Sequence, residues 1–405
     1  MGEIQTRAPT PDPASHEPPS SARLGAYLRR LREGYGYTLR KVEERASVLG
    51  EPIDNSQLSR FEKGKAVPSF DKLRALAKVF NVPVQNFSDV LDLGEFAKYA
   101  PESREVEDLL QAAKRHFSEG QHGRAIATYE AALSIAESEH QSLNRIAKIR
   151  LGIAASLRAL GKLSLADAEL RSILKVKDAL REELLIQALF QMTDVYRQFG
   201  DYFLAEIVAR EGVELAERTS QSHAVSAFQN TLANILHDQG RPDDALRLYE
   251  SCVASAEQAT AYPHLAIVHR INFGGCLASV GQTERALEVL TEAFAKARTA
   301  GYRRSMALAK NRSAEALYLS GAHAECEPLL TESDSISTTG DTSFNDILFM
   351  NTYIRWKIAQ HDQNFTGEKI AFGRLRHLRA LLERKFPEVF DFDQYVETHR
   401  RSHHA

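Results

Sequence analysis

The run Gly240-Arg241-Pro242-Asp243-Asp244-Ala245 stops one apolar-periodic segment at the glycine and opens another at the alanine, and the same step recurs along the chain. Gly120 with Ala125, Gly161 with Ala166, Gly200 with Ala205, Gly281 with Ala286 and Gly321 with Cys326 keep the five-residue offset. Successive glycines lie 41, 39, 40, 41 and 40 residues apart. Six copies at one period mark a repeat array. Four residues after each small residue stands Tyr129, Leu170, Ala209, Tyr249, Leu290 or Leu330, on the same helix face. Seven residues before each glycine stands Ala113, Ala154, Thr193, Ala233, Gly274 or Ala314. Each unit is therefore expected to be two antiparallel helices joined at the glycine, with small residues where the backbones come closest. No single pair can bury its own apolar stripe, so the pairs must stack.

At 405 residues the chain exceeds one ordinary core, and at least two domains are expected. Overall charge is nearly balanced, but its distribution is not. Residues 21–90 hold 13 Lys and Arg against 8 Asp and Glu, leaving 38 against 46 for the rest. A basic module on an acidic body suits a nucleic-acid reader joined to a separate sensing domain. Cys252, Cys276 and Cys326 fall in apolar helix registers and read as small core residues in a reducing compartment. No run approaches a membrane span, and the N-terminus has no signal-peptide core. A cytoplasmic protein without membrane contact is expected.

Residues 1–20 are rich in Pro, Ser and Thr and are expected to be a disordered tail. Leu24, Leu28 and Leu31 then share a helix face that ends at Gly34 and Gly36. Thr38 is placed to cap a second helix reaching Val48, and Asp54 to cap a third from Asn55 to Lys63. Ser69 is placed to cap a fourth, with Leu73, Leu76, Ala77 and Phe80 inward, and a last short helix follows at Gln85–Val90. The expected division is 21–90 for this five-helix module, 91–104 for a linker and 105–340 for six repeats. Residues 341–405 are expected to hold a degenerate seventh repeat and a capping helix. In that repeat His361 takes the glycine place and Thr366 the alanine place, with a long helix reaching Lys385 and ended by Pro387. Phe390, Phe392 and Tyr395 are expected to fold back over it.

The string Ser59-Arg60-Phe61-Glu62-Lys63-Gly64-Lys65, with Pro68-Ser69, Leu73, Ala77 and Val82-Pro83 behind it, resembles the Cro/CI-type (XRE) helix-turn-helix family. Two features depart from that pattern. Thr38-Leu39 stands where Thr-Gln is usual, and the turn around Leu49 to Ile53 is about five residues longer. The resemblance implies that Asn55, Ser56 and Gln57 enter the major groove of double-stranded DNA and that Arg60 reaches a base edge. It implies phosphate contacts from Thr38, Arg40, Ser59, Lys63 and Lys65. It also pairs Glu62 with Arg32, and it places the protein at the nucleoid as a homodimer on an operator.

The array resembles the tetratricopeptide repeat with lengthened helices. That resemblance implies an all-α fold in which the five-helix module precedes a right-handed α-solenoid, with first helices lining its concave face. The inward registers then lie thirteen, ten, nine, six and three residues before each glycine. Asn230, Asn311 and Asn351 stand at ten, Asn272 and Arg312 at nine, and Asn234 and Arg355 at six. A row of amides, each both donor and acceptor, suits the main chain of an extended peptide. The combination resembles the Rap, NprR, PlcR and PrgX group of peptide-sensing regulators, which implies a short signalling peptide as effector. The alternative is an array that grips a protein partner. No phosphate-cradling loop, dinucleotide fingerprint or His-Glu-x-x-His run is present, so neither an enzyme nor a cofactor or metal is expected. His403 and His404 offer at most a weak metal site.

Overall fold

The structure is a computed structural model that describes residues 20–99, 101–258, 263–339, 343–382 and 386–402. Residues 1–19 of the expected tail, Lys385, His403 and His404 lie outside them, whereas Ser20 opens the first helix. The described residues form twenty α-helices and no strand. They divide into two units between Ser103 and Arg104.

The first unit holds α1 (Ser20–Gly34), α2 (Leu39–Val48), α3 (Asn55–Glu62), α4 (Phe70–Val79) and α5 (Gln85–Leu93), then a 3₁₀ turn over Gly94–Tyr99. Local chemistry explains the starts. Thr38 Oγ1 accepts from the Lys41 amide at 3.1 Å, and Asp54 Oδ1 from the Gln57 amide at 2.8 Å. Ser69 has the extended backbone of a cap, but its side chain makes no cap bond. The lengthened turn between α2 and α3 is anchored by Ile53, which is fully buried. Leu24, Leu28, Val42, Leu58, Phe61, Leu76, Phe80 and Phe87 fill the core. Helix α1 meets the end of α3 backbone to backbone: a Cβ on Gly25 would lie 2.4 Å from the Phe61 carbonyl oxygen. Arg32 then forks onto Glu62, Nε to Oε1 at 2.6 Å and Nη2 to Oε2 at 2.9 Å. Its remaining nitrogen Nη1 donates to the Tyr37 carbonyl at 3.1 Å, so this largely buried pair is well satisfied.

The second unit is a stack of helix pairs. The first three are α6 (Val106–Ser118) with α7 (His122–Ser138), α8 (Leu143–Ala159) with α9 (Leu163–Leu174), and α10 (Glu182–Phe199) with α11 (Tyr202–Arg218). Next come α12 (Ser222–Asp238) with α13 (Pro242–Gln258), α14 (Pro263–Ser279) with α15 (Thr283–Ala300), and α16 (Arg303–Leu319) with α17 (Cys326–Thr338). A seventh pair, α18 (Asn345–His361) with α19 (Phe365–Leu381), is followed by α20 (Pro387–Ser402). All six periodic glycines are left-handed, with φ between 73° and 83°, which is why glycine ends each first helix. The small registers do what their spacing implies. A Cβ on Gly274 would lie 2.5 Å from Leu290 Cγ, and one on Gly212 only 2.2 Å from Phe228 Cζ in the next pair.

The structure corrects the register of the seventh pair. Its left-handed residue is Gln363 (φ 54°), not His361, so Asn351 and Arg355 stand twelve and eight residues before the turn rather than ten and six. Glu368, not Thr366, then holds the alanine place. The ordinary signal was missing because a glutamine occupies a conformation that costs a side-chain-bearing residue about 1–2 kcal/mol. A second correction concerns the end. Helix α19 stops at Leu381, and Pro387 opens α20 instead of closing the preceding helix, since the first helical position needs no amide proton. Val389 and Phe392 of α20 pack on Trp356, Leu375 and Leu378, whereas Phe390 points to solvent.

Candidate functional site

In the first unit, α3 begins with two exposed polar residues, Asn55 and Ser56. Gln57 is half-buried, its Oε1 accepting from Lys72 Nζ at 2.9 Å. Ser59 is half-buried. Arg60 is exposed, and among the described residues its side chain has no partner. Lys63 and Lys65 follow it, exposed, around the left-handed Gly64. Thr38 is exposed but engaged as a cap, and Arg40 beside it is 82 % exposed with Glu44 3.5 Å from its Nε. Because Glu62 is turned inward onto Arg32, Arg60 on the solvent side of α3 and Lys63 and Lys65 just beyond its end face no competing carboxylate from that helix. An exposed polar turn flanked by exposed cations can seat on a phosphate backbone while offering a guanidinium to a base edge.

The inward registers of the array are less open than a row of amides would require. At ten before the glycine, Leu110, Leu151, Asn230, Ile271 and Asn311 are buried, and Phe190 alone is exposed. That register faces the neighbouring first helix rather than a groove. Asn272 Nδ2 accordingly donates to Asn230 Oδ1 at 3.3 Å, and Asn311 Nδ2 to Asn351 Oδ1 at 2.9 Å. Asn351 is fully buried and commits both amide protons, to Ser333 Oγ at 2.9 Å and Asp334 Oδ1 at 2.8 Å. Arg355 is taken up by Asp334 at 2.8 Å and by Glu327 through Nε and Nη2, each at 2.9 Å. Burial opposes its charge, but the two carboxylates outweigh that and raise its pKa. The structure thus brings Asn311, Asn351 and Arg355 into one network between the sixth and seventh pairs.

Asn234 and Arg312 are more open. Asn234 Oδ1 accepts from Tyr249 Oη at 2.5 Å, and nothing among the described residues pairs with its NH₂. Arg312, about a third exposed, lies over Gly275, where a Cβ would touch its Cδ at 3.9 Å. Its partner Glu315 raises its pKa. A feature absent from the sequence reading is a ladder on the first helices: Arg158 with Asp194, Asp194 with Arg197 at 3.1 Å, and Arg197 with Asp238 at 2.8 Å. Arg158 and Arg197 stand three before their glycines, so the same register arithmetic could have found them. Near this ladder a cleft of about 440 Å³ is lined by Phe117, His122, Arg158 and Gln198 from early pairs and by Arg304, Phe344, Asp346 and Leu382 from late ones.

Residues 23–88 match the family model described as a helix-turn-helix domain, and residues 224–299, covering α12 to α15, match the one described as a tetratricopeptide repeat. The chain joins an XRE-type helix-turn-helix domain to tetratricopeptide repeats. No curated protein sequence matches it. Among solved structures it is similar to aspartyl phosphate phosphatase F from Bacillus subtilis at 14 % identity, over 94 % of this chain and 98 % of that one, with a TM-score of 0.54. It is similar to a Rap protein complexed with Competence and Sporulation Factor at 14 % identity, over 90 % and 99 %, with a TM-score of 0.53. PlcR from Bacillus thuringiensis, in complex with the peptide PapR7 and DNA, matches at 17 % identity over 82 % and 97 %, but its TM-score of 0.34 is too low to weigh. At these identities the likeness is one of fold. Among the described residues no helix is long and apolar enough to cross a membrane.

Proposed function

We propose that the protein is a cytoplasmic transcription regulator that reads an operator as a two-fold dimer and whose array binds a short peptide that changes DNA binding. The observation that carries the DNA half is the unpartnered, exposed Arg60 one turn beyond the open residues Asn55 and Ser56, on a helix whose only acidic residue is neutralised by Arg32. One such helix buries too little surface to single out a genomic site, which favours two, about 34 Å apart. The sensing half rests on the open groups of the fourth to sixth pairs. Asn234 offers its amide NH₂ to a peptide main chain, half-buried Asn272 the part of its amide that its bond to Asn230 leaves, and Arg312 suits a carboxylate. The Rap protein of similar fold was solved holding Competence and Sporulation Factor, which supports the reading. The phosphatase activity named for the other relative is not carried over, since the likeness to it is of fold alone.

The experiment is selection of DNA sites from a random library by the purified chain, followed by titration. Arg60→Ala should cost about 1–3 kcal/mol and relax one base position, whereas Lys63→Ala should weaken all sequences alike and flatten the salt dependence. Equal losses for Arg60→Ala on selected and random DNA would overturn its role. For the effector, the small-peptide fraction of culture supernatant is added to the parent and to Asn234→Ala/Asn272→Ala. The double variant should keep basal DNA affinity within a few fold and lose the response. A second reading, an array that grips a protein, is favoured by the exposed Phe199, Phe203, Leu204 and Ile207 around the start of α11. Loss of the response in Phe203→Ser, with the Asn234/Asn272 variant unaffected, would favour it.

A further inference from the structure

Stacking at a period of about 40 residues places the intra-pair turns of neighbouring repeats side by side. At the last boundary it gathers three side chains able to bind a metal. His323 opens the 3₁₀ turn His323–Glu325 before α17, and His361 ends α18, with Asp362 next in the chain. His361 Nδ1 lies 2.9 Å from Asp362 Oδ1, and His323 Nδ1 lies 3.6 Å from the same oxygen. The donor atoms of all three lie within 4.8 Å of one another. The two imidazoles meet edge to face at 4.6 Å between centroids, and Tyr318 stacks on His323 at 5.4 Å, bracing that ring.

We propose that His323, His361 and Asp362 bind one divalent transition-metal ion, zinc foremost, in an exchangeable site that clasps the sixth helix pair to the seventh. Around an ion with bonds of about 2.0–2.1 Å in tetrahedral geometry, ligand atoms lie about 3.4 Å apart. The two separations to the Asp362 oxygen, 2.9 and 3.6 Å, bracket that value, and the third, between the imidazoles, is within 4.8 Å, so side-chain rotation completes the set. Two imidazoles and a carboxylate suit zinc, nickel or cobalt, whereas calcium and magnesium take oxygen ligands throughout. Three protein ligands leave a fourth position for water. His361 is 69 % exposed and Asp362 50 %, so the ion reaches the site from solvent and leaves it again. The clasp spans the boundary that the Asn311–Asn351–Asp334 network also crosses, so occupancy tightens the stacking on which that network depends.

The test uses the full-length chain without an affinity tag, titrated with zinc chloride by calorimetry and with cobalt(II) by visible absorbance. The parent should bind one equivalent and show the d–d bands of tetrahedral cobalt. His323→Ala, His361→Ala and Asp362→Asn should each weaken binding at least about tenfold and lose the bands. His361 and Asp362 lie at the surface, so their variants keep the fold, which circular dichroism checks. His403→Ala/His404→Ala removes the rival pair of histidines at the C-terminus and should leave binding intact. The proposal is overturned if the parent shows no saturable binding, if His361→Ala binds as the parent does, or if the C-terminal variant is the one that loses the ion.

Discussion

Acidification should loosen the middle of the array through one buried histidine. His269 on α14 is 1 % exposed, and among the described residues its Nδ1 has two distant contacts, Ser226 Oγ and the Cys252 carbonyl, both at 3.4 Å. Burial pushes its pKa from 6.5 down to about 4, against the opposing hydrogen bond of the Cys252 carbonyl and aided by the charge of His264. The folded chain therefore keeps the ring neutral where the unfolded chain protonates it. Stability is full above the unfolded pKa and is lost as pH falls from about 6.5 towards 4. Linkage with these two values gives a loss of about 2 kcal/mol at pH 5 and about 3 kcal/mol at pH 4. Carboxylates titrate over part of this range as well, so the informative quantity is the difference from His269→Gln, which cannot titrate. Urea denaturation of both proteins, followed by circular dichroism at pH 7 and pH 5, should show the parent losing about 2 kcal/mol more than the variant. Parallel stability curves for the two would refute the reasoning.

Three further outcomes follow from the packing. Arg32→Ala strands Glu62 in a largely buried place and should cost the helix-turn-helix unit about 3–5 kcal/mol, whereas replacing both residues by apolar ones should cost much less; thermal melts compare them. Gly212→Ala should destabilise by about 1–3 kcal/mol because its Cβ would enter the Phe228 ring, while Gly373→Ala, open on all sides, should be neutral or gain about 0.5–1 kcal/mol, as read by denaturant midpoints. Asn351→Ala leaves Asn311 without its acceptor and Asp334 Oδ1 without its amide donor, and should cost about 1–3 kcal/mol with or without any ligand, which differential scanning measures.

What could be read from the sequence divides by the range of the interaction. The caps at Thr38 and Asp54 and the left-handed glycines are decided within a few residues, and the fork of Arg32 on Glu62 follows once the helix-turn-helix resemblance is recognised. The asparagines show where such reading stops. One residue of register separates Asn230, buried between first helices, from Asn272 beside it, and helical periodicity places both on the same broad face. The difference depends on how closely the first helices of the fourth and fifth pairs approach, which residues on several helices set together. The seventh turn escaped because Gln363 fills a place that glycine marks elsewhere. His323 and His361 lie 38 residues apart and meet only through the stack.

The ladder from Arg158 to Asp238 gives the array two kinds of joint. Its early boundaries are held partly by ion pairs whose side chains are 18–30 % exposed, and dissolved salt weakens such pairs. The boundary between the sixth and seventh pairs carries ion pairs as well, Arg355 with Asp334 and Glu327 and Arg304 with Asp346, but adds the buried amides of Asn311 and Asn351, which ions in solution barely touch. Raising ionic strength should therefore soften the early boundaries, which have no such amides among their ladder groups, more than the last one, so that the point about which the stack bends most easily shifts between dilute and concentrated salt.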